Sequence, residues 1–373
     1  MNIDPFCVEL WMNEFELKCE YNLAETCVES ITIAELLQLS GQSEDNIREL
    51  LWLKMTYGAI EGSDRLRHAI VSLYSAQSIN NTLVTHGTIG ANSLVHQTLV
   101  SRNDKVVAVV PSYQQHYSIP ASVGADVHKL HLTAGNQFLP DLEQLDALVT
   151  PDTKLIALTN PNNPTGSLLN REALENIAAI ARKANAWVLC DEVYRGIDQT
   201  GSGTTASMAD IYDKGISTAS MSKAFSLAGL RLGWIAAPEE VINAVMIHRD
   251  YNTISVGMID DHFAAIALEN AEAILGRSRK ITRENLNILT DWVNNEPSIS
   301  WVKPQSGTTA LLKYEQDMPS REFCLSLLKQ TGVMLTPGST MDMEGYVRIG
   351  FANGTDVLKT GLGLMSEFLR LSA

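Results

Sequence analysis

Apolar residues change their spacing several times along the chain, and each spacing predicts a different element. Residues 31–39 set them at helical intervals, so a short helix is expected there. Further on they bunch into compact runs. Residues 82–85, 105–110, 154–159 and 186–190 read as strands, the last three closed by Pro111, Asn160-Pro161 and Asp191. Residues 171–184, between the last two, pattern as a helix. Fully apolar strands joined by a helix mark a parallel sheet covered on both faces. In open α/β sheets, ligands sit beyond the carboxyl ends of the strands. The polar segments that follow these strands are therefore where function is sought.

From about residue 260 the pattern changes. Residues 260–295 read as long helix with little interruption. Strands at 308–314 and 346–351 then flank a helix at 320–330. The fold class expected is α/β: a large domain with a mostly parallel sheet covered by helices, plus a smaller α+β domain. The large domain is assigned to residues 46–260, and the small one to 261–373 with the N-terminal segment 1–45. No internal repeat or low-complexity segment interrupts this plan.

Composition narrows the function classes. The chain has 373 residues, 45% hydrophobic and 19% charged, an ordinary globular balance. Its net charge of -15 argues against nucleic acid or an anionic membrane as partner, since both require a basic face. No apolar run reaches the roughly 18 residues of a spanning helix, and the N-terminus lacks a signal-peptide pattern. Cys7, Cys19, Cys27, Cys190 and Cys324 are odd in number and widely spaced, without a CxxC pair. Free thiols in a reducing cytoplasm are expected, with no metal site.

Four segments carry candidate chemistry. Lys223 lies in Ser220-Met221-Ser222-Lys223, with Arg231 eight residues on and Gly233-Trp234 after it. An amine in an enclosed, partly dry site can lose its proton and attack a carbonyl. Asp191-Glu192-Val193-Tyr194 follows a strand, where Asp191 faces the ligand crevice and suits a cationic ring nitrogen; capping the next element is its structural alternative. Asn160-Pro161-Asn162-Asn163-Pro164-Thr165-Gly166 is a rigid turn with amide donors and acceptors at its tip, or an ordinary strand-to-helix turn. His86-Gly87-Thr88-Ile89-Gly90 leads from a strand into a helix whose free N–H groups suit an anion; a plain tight turn reads equally well.

In this order, followed by Arg348 in Tyr346-Val347-Arg348-Ile349-Gly350-Phe351, the segments resemble the fold-type I pyridoxal-phosphate enzymes, and within them the class I/II aminotransferases. The resemblance runs from about Tyr57 to the C-terminus. It implies pyridoxal 5'-phosphate as cofactor, carried by Lys223 as a Schiff base, and amino-group transfer between an α-amino acid and a 2-keto acid. It implies Asp191 on the pyridinium nitrogen, Asn163 and Tyr194 on the phenolic oxygen, and Tyr113 stacked on the ring. The phosphate falls to the Gly87-Thr88-Ile89 turn, Ser220, Ser222 and Arg231, and the substrate carboxylate to Arg348. Tyr57 is the residue that would reach a partner subunit's phosphate, which implies a homodimer with shared active sites; Thr253 is a weaker candidate for the same reach.

The match departs from the family pattern in two places. Pro304-Gln305-Ser306-Gly307-Thr308-Thr309-Ala310 and the segment Asn22-Leu23-Ala24-Glu25-Thr26-Cys27-Val28-Glu29-Ser30, expected to cover the pocket, look more like the capreomycidine synthase-like members, as does Arg249-Asp250-Tyr251. Those members use the fold for β-elimination and ring closure on an arginine derivative, which is the alternative reading. Cys27 is a candidate substrate contact; packing is the plainer role for Cys27 and for His86, and His116 is unassigned. An effector-binding regulatory domain would need a basic DNA-binding segment, which the chain lacks. A nucleotide-dependent dehydrogenase would need GxGxxG after an N-terminal strand, also lacking.

Overall fold

A computed structural model describes residues 2–371, with the backbone alone for Asn46. The main sheet has seven strands, in spatial order Thr82–Thr85, Gly233–Ala236, Gly215–Ser220, Trp187–Asp191, Thr153–Thr159, Lys105–Val110 and Asp126–His131. All pairings are parallel except those of Gly233–Ala236, which runs against both neighbours.

The unbroken apolar runs are explained by burial on two faces. Val106, Leu155, Leu189 and Ile216 pack with Leu94 and Val95 of the helix Gly87–Leu99 and with Val241 and Val245 of Glu239–Asp250. Val107, Ile156, Val188 and Cys190 face the other way, onto Leu174, Ile177 and Ala181 of Arg171–Lys183. This last helix starts where Asn170 accepts the N–H of Ala173 and carries Arg182 and Lys183 in its last turn, which suits its dipole.

A second sheet joins Thr336–Pro337, Tyr346–Gly350, Thr309–Tyr314 and Ile299–Trp301, all antiparallel. The N-terminal segment belongs to its core. Trp11, Leu23 and Ala24 pack with Leu312, Phe323, Phe351 and Phe368, and Tyr21–Asn22 pairs in parallel with Val333–Met334. This packing lays residues 8–27 against the carboxyl edge of the main sheet.

Several elements differ from the sequence expectation. The single helix expected over 260–295 is two, Met258–Glu269 and Ala271–Asn295. Asn270 breaks it: its backbone leaves the helical region and its side chain donates to the carbonyl of Ile266. The helix expected at 31–39 is Ile33–Leu39, because Thr32 and Glu35 close a capping box in front of it. The helix Cys7–Phe15 and the strands Asp126–His131, Gly215–Ser220 and Gly233–Ala236 carried no pattern that was read. Gly215–Ser220 is wholly buried yet holds Ser217, Thr218 and Ser220, so it presents no apolar run. Its hydroxyls donate internally, Ser217 to Glu192 at 2.8 Å and Thr218 to Asn92 at 2.6 Å. All five cysteines are free, and among the described residues no helix is long and apolar enough to cross a membrane.

Candidate active site

Five parallel or edge strands deliver their following residues to one side of the main sheet. Thr82–Thr85 leads to Thr88, Lys105–Val110 to Tyr113, Thr153–Thr159 to Asn163, Trp187–Asp191 ends on Asp191, and Gly215–Ser220 leads to Ser222 and Lys223. Gly233–Ala236 runs the opposite way, so its amino end, and with it Arg231, lies at the same edge. These residues line a cavity of about 290 Å³, closed on the other side by Arg348 and by residues of the N-terminal segment, Glu9, Glu16, Glu25, Thr26 and Cys27 among them.

Asp191 sits at the cavity floor, fully desolvated. Burial lifts its carboxyl to about 6, although the Asn92 side chain donates to Oδ2 at 2.8 Å and the Val193 N–H to Oδ1 at 3.1 Å. His116 Nε2 lies 4.0 Å from Oδ2, and its Nδ1 meets His96 Nε2 at 3.3 Å. Burial drives both imidazoles below their ordinary range, His116 to about 4, so near neutral pH they are uncharged. The carboxylate therefore has hydrogen bonds but no cation, an arrangement that favours a positively charged ligand atom.

Lys223 points from the sheet toward the N-terminal segment. Its Nζ donates to Thr26 Oγ1 at 2.7 Å and to Cys27 Sγ at 3.4 Å, with Glu25 Oε1 at 4.0 Å. Burial opposes the charge on this amine, but Cys27, Tyr194 and Glu25 outweigh it and hold the lysine above its ordinary range. Cys27 and Tyr194 act only when ionised, and burial pushes both upward, the thiol to about 11; near neutral pH Glu25 is the acting anion. Glu25 is itself pushed up by burial, and Lys223 and the N–H groups of Cys27 and Thr26 pull it back below the usual carboxylate range. The dryness expected to free the lysine's proton is present, but this carboxylate reverses its effect.

On the opposite wall, Asn163 Nδ2 donates to the Tyr194 hydroxyl at 3.3 Å, and Arg348 Nη1 donates to Asn163 Oδ1 at 3.3 Å. Arg348 Nη2 donates to Thr336 Oγ1 and the carbonyl of Ala24, each at 3.1 Å. Its Nε has no partner among the described residues, although the side chain is 3% exposed. Burial lowers the guanidinium's pKa, as expected of a cation awaiting an anion. Tyr113 lines the cavity and donates its hydroxyl to Glu9 Oε1 at 2.7 Å, which ties the N-terminal helix to the mouth.

At the far end, the turn before Gly87–Leu99 meets Arg231. Gly87 takes φ +67°, and a Cβ there would stand 3.3 Å from Arg231 Nη2. Gly233 is tighter: its Cβ would come 2.5 Å from Gly87 C and 2.7 Å from Thr88 N. Thr88 Oγ1 is buried without a partner among the described residues, and Ser220, Ser222 and Arg231 share the cavity wall with Thr88 and Ile89. Free N–H groups, hydroxyls and a guanidinium at a helix N-terminus are a donor set that suits a phosphate. An orphaned hydroxyl at one end, an unpaired buried carboxylate at the other and an amine between them fit pyridoxal phosphate.

Of the residues singled out in the sequence, Thr88, Ile89, Tyr113, Asn163, Asp191, Tyr194, Ser220, Ser222, Lys223, Arg231, Arg348 and Cys27 line this cavity. Gly87 stands behind the lining, against Arg231. Tyr57 is 77% exposed and, like Thr253 and His86, lies outside it. The 304–310 segment also lies outside; Thr308 Oγ1 instead donates to the carbonyl of Thr26 and braces the cavity cover. Sequence reasoning did not single out Asn92, Glu9 or Glu16. Asn92 stands one turn into the helix of the Gly-rich segment, where position alone could have flagged it. The two glutamates lie in or just past the helix Cys7–Phe15, for which the sequence set no expectation.

Fold and site together define a pyridoxal-phosphate-dependent enzyme of fold type I. The chain belongs to the family "Aminotransferase class I and II", which it matches over residues 54–359. A PLP-dependent aminotransferase from Streptococcus suis superposes with a TM-score of 0.97 at 41% identity, covering 100% of this chain and 99% of that one. The PLP-dependent cyclase OrfR superposes at 0.92 and 27%, covering 100% and 99%. Capreomycidine synthase of Streptomyces vinaceus is 27% identical over 363 residues, 97% of this chain and 93% of that protein.

Proposed function

We propose that the protein moves an amino group between an α-amino acid and a 2-keto acid. The observation that carries this reading is the convergence on one cavity of a half-buried amine and, among the described residues, a buried carboxylate lacking a cation and a buried guanidinium lacking an anion. Pyridoxal phosphate, when bound, supplies the electron sink that makes the α-hydrogen of an amino acid acidic. Lys223 binds it covalently, and Asp191, oriented by Asn92, keeps the ring nitrogen protonated. Asn163 and Tyr194 hold the phenolic oxygen, and Tyr113 covers the ring face. Thr88, Ile89, Ser220, Ser222 and Arg231 grip the phosphate, and Arg348 takes the substrate carboxylate as a two-pronged pair. With the cofactor and an amino acid in place, the Lys223 amine would be the group that takes up and returns the α-proton; in the structure its Nζ donates to Thr26 Oγ1. Two copies share their sites, each lending Tyr57 to the other, in a cytoplasm that keeps the five thiols reduced.

A second reading, β-elimination with ring closure, draws on the whole-chain likeness to capreomycidine synthase and to the cyclase OrfR. The readings separate in a single turnover of the cofactor-loaded protein with α-amino acids offered one at a time. Transamination is expected, leaving the cofactor in its amine form and releasing a keto acid. Release of an eliminated product with the cofactor's visible band retained would favour the second reading. Lys223→Ala is expected to lose both band and turnover; a wild-type protein that takes up no cofactor would overturn both readings.

A further inference from the structure

A second cavity, of about 360 Å³, stands behind the active one. Val193 and Ser220 line both, so the two lie back to back across the ends of the strands Trp187–Asp191 and Gly215–Ser220. Apart from Ser220, no residue of the proposed cofactor and substrate site takes part in it. The helix break at Asn270 lies beside it: Leu268 and Leu275, one from each helix, are part of its lining. Its volume falls within the roughly 300–1,000 Å³ of small-molecule sites.

Most of its lining is apolar and buried: Tyr74, Phe225 and Trp234 stand with Leu268 and Leu275. The polar atoms of the rings are already engaged. Trp234 Nε1 donates to the Tyr74 hydroxyl at 2.9 Å, and that hydroxyl meets Ser217 Oγ at 3.0 Å. The cavity shares Arg195 and Thr204 with an adjoining open cleft, which Arg171 also lines. Arg195 is fixed between the two spaces. Its Nε donates to the carbonyl of Thr205 at 2.9 Å and its Nη2 to that of Leu73 at 2.7 Å, and the guanidinium lies 5.1 Å from the centre of the Tyr74 ring. Nη1 has no partner among the described residues. The acids of the two linings, by contrast, are each engaged. Glu192 accepts from Ser207 Oγ, the Met208 N–H and Ser217 Oγ, and stands 3.9 Å from Arg195 Nε. Glu269 pairs with Arg65, Glu272 with Arg279, and Asp210 accepts the N–H groups of Ser75 and Ala76.

We propose that this second cavity is a binding site for a small aromatic monocarboxylate, with the carboxylate on Arg195 and the ring against Tyr74, Phe225 and Trp234. The guanidinium is held by two backbone carbonyls with one edge left open, which is how a carboxylate is received. A cationic ligand meets acids that already have their donors, and a neutral one leaves the open edge of Arg195 unmatched. The site is separate from the one that holds Arg348 and does not depend on which reaction that site performs.

The test is calorimetric titration of the protein, saturated with pyridoxal phosphate, with three probes of one shape: 3-phenylpropanoate, the neutral 3-phenylpropanamide and the cationic 3-phenylpropylamine. The acid is expected to bind about tenfold or more tightly than the amide, and the amine more weakly than either. Thr204 is exposed, lines the second cavity and lies outside the active one, so Thr204→Trp narrows the former without touching the latter. That variant is expected to bind the acid about tenfold or more weakly than the wild type. Arg195→Gln is expected to bring acid and amide to within about twofold of each other. Equal binding of acid and amide by the wild type, tightest binding of the amine, or no measurable binding of the acid overturns the proposal. So does binding of the acid undiminished in Thr204→Trp, which would place it on Arg348 in the active cavity. The Thr204→Trp comparison stands whether or not Arg195→Gln folds.

Discussion

Asp191 holds its charge against the protein until a cation faces it. Its carboxyl titrates at about 6, above the ordinary 3.8, because burial outweighs the donors from Asn92 and Val193. The folded protein thus keeps a proton that the unfolded chain releases. Asp191 leaves stability untouched below about pH 3.8 and lowers it as pH rises through about 6, by at most about 3 kcal/mol. Asp191→Asn removes that dependence. Urea unfolding of the cofactor-free proteins is expected to show the wild type losing stability relative to the variant between pH 4 and 7; parallel pH profiles would mean that the carboxylate is solvated. Loading with cofactor is expected to restore the wild type, since the ring cation then pairs with the carboxylate. Asp191 and Lys223 were legible in the sequence because each stands at a strand end in a rigid local pattern. Asn92 and Glu25 were not, since each acts through a partner distant in sequence, Asp191 99 residues away and Lys223 198 away.

Among the elements, the strand Gly233–Ala236 sets the tightest tolerance. It crosses behind the turn of the helix Gly87–Leu99 so closely that only a glycine fits at its first position. Gly233→Ala must push Gly87 and Thr88 aside, and overpacking of this kind costs about 1–3 kcal/mol. Because the atoms displaced are those of the proposed phosphate cradle, the cofactor is expected to dissociate about tenfold or more readily. Gly229→Ala, whose Cβ meets nothing within 4 Å, is expected to retain it as the wild type does. Equilibrium dialysis against pyridoxal phosphate measures both; equal retention by the two variants would remove the cradle from this edge. This strand also marks where sequence reading stops. Lys105–Val110, Thr153–Thr159 and Trp187–Asp191 were legible because burial on two faces demands unbroken apolar runs. Gly233–Ala236 is four residues long, and Gly215–Ser220 satisfies its hydroxyls through Glu192 and Asn92, contacts that no local pattern records. The helix Cys7–Phe15 is shaped by Trp11, whose indole donates to the carbonyl of Leu335, a residue from the other end of the chain.

At the scale of the whole molecule, one surface exposes a group of large apolar side chains. Leu51, Trp52, Met55 and Tyr57 are exposed, and Ile247, Tyr251 and Ile254 join them, Trp52 at 88% and Tyr251 at 93%. The two groups are neighbours: Arg249 donates to the carbonyl of Ile60, and Gly58 lies against Met258. Exposed apolar residues gathered in this way are what an interface needs, and they include Tyr57, the residue proposed to serve a second copy's phosphate. Sedimentation is therefore expected to find a dimer, and Trp52→Glu with Tyr251→Glu to yield monomers that lose cofactor. Such a result alone leaves the role of Tyr57 open to a simpler cause, since any loosening of the interface could release cofactor. Tyr57→Phe separates the two. The ring is kept and one hydroxyl is removed, so the dimer is expected to persist while cofactor affinity falls about tenfold, as for a lost hydrogen bond to a charged group. A dimeric Tyr57→Phe protein that binds pyridoxal phosphate as tightly as the wild type would confine each active site to its own chain, even though the interface lies beside it.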